Sequence, residues 1–215
     1  MAANAPAEGM RIALNGVAKQ FAREKVFHRV EHVFEPGSRT ALLGPNGSGK
    51  STLLQVVAGA LVPTAGKVVH SISGRTVPEE KVYRLVSIAS PYLDLYDDLA
   101  LREAITVHAR FKPFLAGIKP KDVARIAYLE PHWEKPVTHF SSGMKMRLKL
   151  ALAILSDTPL LLLDEPASNL DAEGIAWFRQ LLMGHLGGRT LLVASNRQEE
   201  ETFACTESVE ISRWK

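Results

Sequence analysis

The chain contains a single cysteine, Cys205, among its 215 residues. One thiol excludes an internal disulfide and any cluster built from several cysteines of one chain, and it suits a reducing compartment. Long apolar runs are also missing, because none approaches the roughly 20 residues that a membrane-spanning helix needs. The first ten residues are rich in alanine but have neither a basic start nor an apolar centre. We therefore expect no signal peptide there and predict a disordered tail over residues 1–9.

A large excess of charge of one sign is missing as well, since the formal net charge is only +3. The densest basic cluster is Lys145, Arg147 and Lys149, and no aromatic side chains are interleaved with it as they are in single-strand nucleic-acid binders. The cluster therefore predicts a solvated or partner-facing helix surface and no nucleic-acid partner. Apolar residues make up 46% of the chain, which excludes global disorder. The length suits one domain with a substantial core, which we place at residues 10–215.

A glycine-rich segment has the composition of a complete phosphate-binding loop, formed by Gly44, Pro45, Asn46, Gly47, Ser48, Gly49, Lys50 and Ser51. The apolar run before it, residues 40–43, predicts a buried strand, and residues 52–58 predict a helix. Glycines let successive backbone N–H groups turn towards a phosphate chain, and a helix N-terminus adds partial positive charge. We predict that Lys50 reaches the terminal phosphates, that the Ser51 hydroxyl ligates Mg²⁺, and that Thr52 completes a nucleoside triphosphate site.

A second motif lies far downstream, where four consecutive leucines at residues 160–163 precede Asp164 and Glu165. An apolar run without alternation predicts a strand that is covered on both faces, as in a parallel sheet. Ligands of open α/β sheets bind at the carboxyl ends of such strands. We predict that Asp164 holds Mg²⁺ and that Glu165 orients or deprotonates an attacking water. An acidic turn after a core strand is the alternative, and the phosphate-binding loop makes it the weaker one.

Between these motifs, Phe140-Ser141-Ser142-Gly143-Met144 opens a segment whose apolar residues recur with helical spacing. Ser141 is predicted to cap this helix. The order of the motifs resembles that in the ATP-binding subunits of the ABC superfamily, whose Leu-Ser-Gly-Gly-Gln type signature stands shortly before the Asp-Glu strand. Arg147 continues the signature pattern, and Ser168-Asn169-Leu170-Asp171 is similar to the D-loop. The resemblance extends from about Arg11 to the end of the chain.

The resemblance implies ATP and Mg²⁺ as ligands, with Lys50 and Glu165 as catalytic residues. It also implies a sandwich dimer, in which the signature of one subunit closes the nucleotide that the other subunit binds. The residues implied to contact the nucleotide of the opposite subunit are Ser141, Ser142, Gly143 and Asp171. Phe21 stands where the family places an aromatic ring against adenine, and a core aromatic residue is the competing interpretation.

The chain departs from the family pattern at several motif positions. Ser142 and Met144 replace a glycine and the glutamine of the signature, and the glutamine of the Q-loop falls on Pro91. The switch histidine is replaced by Asn196, whose amide can donate a hydrogen bond but cannot carry a charge or shuttle a proton. We predict that Asn196 is catalytic through its amide N–H on the γ-phosphate and that turnover is slow. The alternative is that Asn196 caps a helix predicted near residues 198–203.

The predicted fold class is α/β, a P-loop NTPase with a doubly wound, mostly parallel sheet. Alternation of apolar and polar residues over 11–17 and 26–34 predicts an N-terminal antiparallel β lobe. Helical patterns punctuated by proline and glycine over about 91–155 predict an inserted helical subdomain.

By resemblance, we expect an ATPase subunit of an ABC transporter that works as a homodimer on the cytoplasmic face of the cell membrane. A multi-span permease on a separate chain would be the partner, and its cytoplasmic helix would dock beside residues 90–92. Two alternatives stay open. One is a soluble ABC ATPase in an assembly pathway, such as iron–sulfur maturation, and the other is a nucleotide-gated dimerisation module with little hydrolysis.

Overall fold

Nine strands and seven α-helices form the described part of the computed structural model, which comprises residues 8–22 and 24–215. The strands are β1 (Arg11–Phe21), β2 (Glu24–Phe34), β3 (Arg39–Leu43), β4 (Ala65–Ile72), β5 (Arg75–Thr76), β6 (Val86–Ala89), β7 (Leu160–Asp164), β8 (Thr190–Ser195) and β9 (Glu207–Glu210). The α-helices are α1 (Lys50–Val57), α2 (Glu79–Val82), α3 (Leu101–Phe111), α4 (Pro120–Ile126), α5 (Ser142–Leu155), α6 (Ala172–His185) and α7 (Glu199–Thr202). Short 3₁₀ turns lie at Glu130–His132, Val137–His139 and Ile211–Trp214.

Most of the predicted tail, residues 1–9, lies outside the described residues. Gly9 and Met10 are buried, and the Met10 carbonyl accepts a hydrogen bond of 2.6 Å from the Thr190 hydroxyl. A Cβ added to Gly9 would lie 2.2 Å from the backbone nitrogen of Gly37. The chain is therefore packed against the central sheet from Gly9 onward.

The central sheet has the strand order β6-β7-β8-β3-β9, and every neighbouring pair is parallel. Near the carboxyl ends, the register pairs Ala89 with Leu163, Asp164 with Ala194, and Leu43 with Ser195. The ends of β6, β7, β8 and β3 therefore meet at one edge of the sheet. Because ligands of open parallel sheets bind at this edge, the topology brings the predicted motifs together there.

Both faces of the central sheet are covered. Leu161 and Leu163 of β7 point into a core that they share with α3, α4, α5 and α6. Leu160 and Leu162 point into a second core that contains α1 and the antiparallel strands. All four leucines are 0% exposed, and burying each contributes roughly 2 kcal/mol. This arrangement confirms the predicted doubly wound sheet, and the unbroken leucine run was its signal.

The predicted β lobe is an antiparallel sheet of order β2-β1-β4-β5. Strand β1 continues to Phe21, beyond the alternating pattern that ends at Val17. The pattern stops there because the register shifts between Leu14 and Val17 as a bulge, with Gly16 at a φ of 61°. A left-handed φ of this kind favours glycine, and a bulge shifts the alternation of the side chains by one residue.

Helices α3, α4 and α5 lie within the predicted helical subdomain, over residues 101–155. Leu101, Ile105 and Val123 are completely buried between them. The segment 91–100 contains no helix, and its last residue, Ala100, forms an antiparallel bridge to Pro136. In the described part of the chain, no helix combines the length and the hydropathy that spanning a membrane requires.

One buried arginine, Arg189, connects the C-terminal ends of α5 and α6. Its guanidinium donates to four carbonyls, those of Ile154 (2.8 Å), Ser156 (3.1 Å), His185 (2.8 Å) and Leu186 (3.1 Å). A helix C-terminus leaves carbonyls unpaired and carries partial negative charge, so a cation is stabilised there. Burial lowers the pKa of Arg189 to about 10, which still leaves the guanidinium charged at neutral pH. Arg189 thereby holds α5, the helix of the predicted signature, against α6.

Candidate active site

Asp164, at the end of β7, has its carboxylate between two hydroxyl groups. Its Oδ1 accepts a hydrogen bond of 3.0 Å from Ser51 in the first turn of α1, and its Oδ2 accepts one of 3.0 Å from Ser90 directly after β6. Asp164 is 2% exposed, and burial raises the pKa of its carboxyl although both hydroxyls oppose that change. Mg²⁺ takes oxygen ligands, including carboxylates. The oxygens of Ser51 and Asp164 therefore fit their predicted role as Mg²⁺ ligands.

The predicted phosphate-binding loop joins β3 to α1, as its flanks indicated. Lys50 is 4% exposed, and its Nζ donates to the carbonyls of Gly44 (2.8 Å) and Pro45 (3.1 Å). Gly49 has a φ of 100°, and a Cβ there would lie 2.6 Å from Cγ1 of Val26. Only glycine avoids both the strain and the collision, so backbone N–H groups can approach a ligand closely at this turn.

An open cavity of about 480 Å³ adjoins the loop and is called the nucleotide cavity below. Among the residues that line it are Phe21, Asn46, Gly47, Ser48, Gly49, Lys50, Ser51, Thr52, Tyr92 and Glu165. Gly44 and Pro45 do not line it. The Ser48 hydroxyl is buried and has no hydrogen-bond partner among the described residues. Leaving a buried hydroxyl unpaired costs about 1–3 kcal/mol, so the cavity fits a ligand with acceptor oxygens such as a phosphate chain.

Glu165 has a left-handed backbone conformation, with a φ of 43°. Its N–H donates to the carbonyl of Ala194 (3.0 Å), which extends the pairing of β7 with β8 by one residue. For a residue other than glycine this conformation costs on the order of 1 kcal/mol, and strain of this kind is concentrated at functional sites. The turn leaves Glu165 in the wall of the nucleotide cavity, together with Lys50 and Ser51.

A second cavity, of about 380 Å³, contains most of the predicted signature residues and is called the signature cavity below. Ser141 and Gly143 line it, whereas Ser142 does not. Ser141 caps α5 as predicted, because its Oγ accepts a hydrogen bond of 3.2 Å from the N–H of Met144. The two cavities share no lining residue. The predicted nucleotide contacts therefore lie at two separate places on one chain.

Asp171, the last residue of the predicted D-loop, also lines the signature cavity. Its Oδ1 accepts a hydrogen bond of 2.7 Å from the N–H of Gly174 and caps α6. The guanidinium of Arg147 lies 3.7 Å from the same oxygen, with its centre 5.5 Å from the ring of Tyr128 and 5.6 Å from that of Trp177. These contacts fix the N-terminal ends of α5 and α6 relative to each other.

The sequence model of the family described as "ABC transporter" matches residues 27–168. This range contains the phosphate-binding loop, the signature and the Asp-Glu pair, and it covers more than half of the chain. The chain belongs to this family.

ABC transporter ATP-binding protein YcbN of Bacillus subtilis is 31% identical over 187 residues, and Nod factor export ATP-binding protein I of Burkholderia lata is 32% identical over 203 residues. These alignments cover 86% and 90% of this chain but 61% and 65% of the relatives. The chain thus spans less than two thirds of their length.

Solved structures of other proteins share the fold of this chain. A structure described as the ATP-binding subunit of an ABC transporter superposes with a TM-score of 0.77 at 24% identity, covering 93% of this chain and 85% of that one. A dimeric ATP-binding cassette in a post-hydrolysis state, bound to ADP and Pi, superposes with a TM-score of 0.78 at 20% identity, covering 93% of each chain. At these identities the likeness establishes the fold alone, and it confirms the predicted P-loop NTPase class.

Asn196, which was predicted to replace the switch histidine, lies directly after β8. It is exposed and does not line the nucleotide cavity. The Oγ of Ser195 accepts a hydrogen bond of 3.1 Å from the N–H of Gln198, the residue that precedes α7. Helix α7 itself has no side-chain cap. The alternative that Asn196 caps this helix is therefore wrong, because no side chain accepts a capping hydrogen bond at its start. The action of Asn196 on a γ-phosphate stays a prediction.

Phe21 lies at the rim of the nucleotide cavity and is 48% exposed, with Nζ of Lys19 4.8 Å from the centre of its ring. This exposure contradicts the interpretation of Phe21 as a core aromatic residue. An exposed ring in the wall of a cavity is available for stacking on a planar ligand. Its contact with adenine stays a prediction.

Three side chains at the site were not predicted as functional, namely Ser90, Tyr92 and Glu201. Ser90 and Tyr92 flank Pro91, on which the glutamine of the Q-loop was predicted to fall, and the position of Ser90 directly after β6 was the available signal. Glu201 is 1% exposed, and its Oε1 accepts a hydrogen bond of 3.3 Å from the N–H of Ala167. Burial raises the pKa of Glu201. The side chain connects α7 to the loop that follows Glu165, and no local pattern indicated this contact.

A cleft of about 280 Å³ lies between the segment after β6 and the helices α3 and α5. Its apolar lining includes Leu93, Tyr96 and Phe111, which are 36%, 66% and 62% exposed. Lys149 of α5 donates a hydrogen bond of 2.9 Å to the carbonyl of Pro91 at one side of the cleft. The cleft therefore lies beside residues 90–92, where a partner helix was predicted to dock.

Proposed function

We propose that this chain is the ATP-binding subunit of an ABC transporter and that it binds MgATP in the nucleotide cavity and hydrolyses it. The observation that carries the proposal is the convergence of Lys50, Ser51, Asp164 and Glu165 at the carboxyl edge of the parallel sheet. Each of these side chains matches one requirement of phosphoryl transfer. Membership of the ABC family supports the same activity.

In the proposed reaction, the Lys50 ammonium and the backbone N–H groups of the loop hold the phosphates. Ser51 and Asp164 hold Mg²⁺, which when bound supplies positive charge against the phosphate oxygens. Glu165 orients the attacking water and accepts its proton. The buried Asp164 is kept from rotating by its two hydroxyl partners, so its oxygens are already oriented.

The proposed working form is a homodimer. Ser141, Gly143 and Asp171 lie in the signature cavity, away from the nucleotide cavity of the same chain. They can contact bound nucleotide only when a second copy presents its own nucleotide cavity to them. The proposed contacts in trans are those of Ser141, Ser142, Gly143 and Asp171.

The proposed partner is a multi-span permease on a separate chain, which would place this subunit on the cytoplasmic face of the cell membrane. The apolar cleft beside residues 90–92 supports the docking of a helix from such a partner. Export is the proposed direction, because several relatives of similar identity are named export ATP-binding proteins.

The test combines turnover with co-purification. The purified chain should hydrolyse MgATP faster than its Lys50→Ala variant, and detergent extracts should retain a membrane subunit on it. Turnover by a chain on which detergent extracts retain no membrane subunit would favour the soluble assembly ATPase. Nucleotide-dependent dimerisation with a rate equal to that of Lys50→Ala, with and without the membrane partner, would favour the dimerisation module.

A further inference from the structure

Tyr92 lines the nucleotide cavity but belongs to none of the family motifs described above. Its ring is 69% exposed, and it lines the cavity together with Lys50, Ser51 and Glu165. The preceding residue, at the position of the family glutamine, is Pro91, which has no side-chain donor. Tyr92 thus brings a hydroxyl group to a wall of the cavity where this chain lacks the amide of a glutamine.

The segment that carries Tyr92 is held at two points. Ser90 donates to Oδ2 of Asp164 (3.0 Å) and accepts a hydrogen bond of 3.3 Å from the N–H of Tyr92. Lys149 of α5 donates to the carbonyl of Pro91 (2.9 Å). The backbone of Tyr92 is therefore connected to the predicted Mg²⁺ carboxylate on one side and to the signature helix on the other. These contacts restrict where the phenol can reach.

Two nearby carboxylates, those of Glu165 and Asp164, raise the pKa of the Tyr92 hydroxyl. Glu165 contributes most to raising the pKa of the Tyr92 hydroxyl, followed by burial and by Asp164. A tyrosine pKa above its ordinary value of about 10 leaves the group protonated throughout the physiological range. The hydroxyl is then a permanent hydrogen-bond donor in a cavity whose wall also contains the Glu165 side chain.

We propose that Tyr92 is a positioning residue for ATP hydrolysis, whose hydroxyl donates to the Glu165 carboxylate and holds it in the orientation that accepts a proton from water. The proposal rests on the hydrolytic function proposed above. Tyr92 acts through Glu165 and does not contribute to nucleotide affinity. In this chain the phenol takes over part of the role that a glutamine side chain at position 91 would have.

The test compares Tyr92→Phe with Tyr83→Phe in the full chain. Both changes remove one phenol oxygen from a tyrosine at least half exposed, but Tyr83 lies at the end of α2, where its oxygen accepts from Arg84 (2.8 Å). Tyr92→Phe should lower kcat about tenfold, the effect of losing one hydrogen bond to a charged group, and should change KM by less than about twofold. Tyr83→Phe should leave both constants unchanged. Thermal midpoints of both variants exclude misfolding as the cause.

An unchanged or raised kcat in Tyr92→Phe would overturn the proposal, and so would a rise of KM that accounts for the whole loss. A titration with MgATP in the Glu165→Gln background gives a second readout, in which Tyr92→Phe should leave the Kd unchanged. Comparison with Lys50→Ala distinguishes a failure of the proposed hydrolysis from a failure of the proposed role of Tyr92. If the unmodified chain is no faster than Lys50→Ala, the proposed hydrolysis fails. If it is faster but equals Tyr92→Phe, only the role of Tyr92 fails.

Discussion

The hydroxyl of Ser51 donates a hydrogen bond of 3.0 Å to Oδ1 of Asp164, although 113 positions separate the two residues in the chain. Ser51 belongs to the helix that follows β3, and Asp164 ends β7. Strand β8 lies between these two strands, so the contact spans the central sheet at its carboxyl edge. A helix N-terminus and a buried carboxylate thus face the same point, which is the arrangement that a bound Mg²⁺ and a phosphate chain require.

Replacing Lys50 by alanine should weaken the binding of MgATP at least tenfold. The ammonium is nearly buried beneath the loop, and charge-assisted hydrogen bonds contribute roughly 1.5–3 kcal/mol each. Titration of the purified variant with nucleotide measures the effect. Lys121→Ala, an exposed lysine of α4, is the matched control and should bind as the unmodified chain does. Equal affinities for Lys50→Ala and the control would contradict the assignment of the phosphate-binding loop.

Replacing Glu165 by glutamine should preserve the affinity for ATP and trap an ATP-bound dimer. The amide keeps the shape of the side chain but loses the negative charge that activates water. Size-exclusion chromatography with MgATP should show a dimer for this variant and a monomer without nucleotide. Glu80→Gln, on the exposed side of α2, should not accumulate the dimer. A Glu165→Gln variant that stays monomeric at saturating MgATP would oppose the sandwich arrangement.

Ser195→Ala should affect stability and Asn196→Ala should affect turnover, although the two residues are adjacent. The buried hydroxyl of Ser195 accepts a hydrogen bond from the N–H of Gln198, so its replacement should lower the free energy of unfolding by about 1 kcal/mol. Asn196→Ala should leave stability intact and lower kcat by roughly 10², with ATP affinity unchanged, if its amide positions the γ-phosphate. Asn196→His should be tolerated. Thermal midpoints and steady-state rates of the same variants decide between the roles, and an unchanged rate in Asn196→Ala would remove Asn196 from the catalytic set.

His108 should make the folded state sensitive to acid. Its Nε2 lies 2.8 Å from Oγ of Ser156, and burial, reinforced by Lys112, lowers the pKa of the imidazole to about 4. In the unfolded chain the pKa is about 6.5, so between these values the unfolded state binds the additional proton. The stabilisation from neutral His108 is therefore complete above pH 6.5 and is lost as the pH falls towards 4.

Urea unfolding at a series of pH values measures this dependence. The change amounts to about 1.4 kcal/mol for each unit of difference between the two pKa values. His108→Phe can still stack on Phe114, whose ring centre lies 5.7 Å from that of His108, but it cannot bind a proton. The variant should lose less stability than the unmodified chain between pH 6.5 and 4. Parallel curves for the two proteins would show that another group is responsible.

Local patterns in the sequence were sufficient for much of the fold. The leucines of β7 predicted a strand covered on both faces, and Ser141 predicted the start of α5, because burial and capping depend on neighbouring residues in the chain. Alternation likewise predicted the β lobe. It failed beyond Val17 because a bulge at Gly16 changes which face each side chain occupies.

By itself, the sequence determined the family, the phosphate-binding loop and the Asp164–Glu165 pair, since each is a short run whose spacing carries its chemistry. Only the tertiary structure decided which further side chains share that site. Ser90 meets Asp164 across 74 positions, and Glu201 meets Ala167 across 34. Tyr92 enters the nucleotide cavity only because β6 ends beside β7. Such contacts depend on strand order and register, which bring together residues that no local pattern connects.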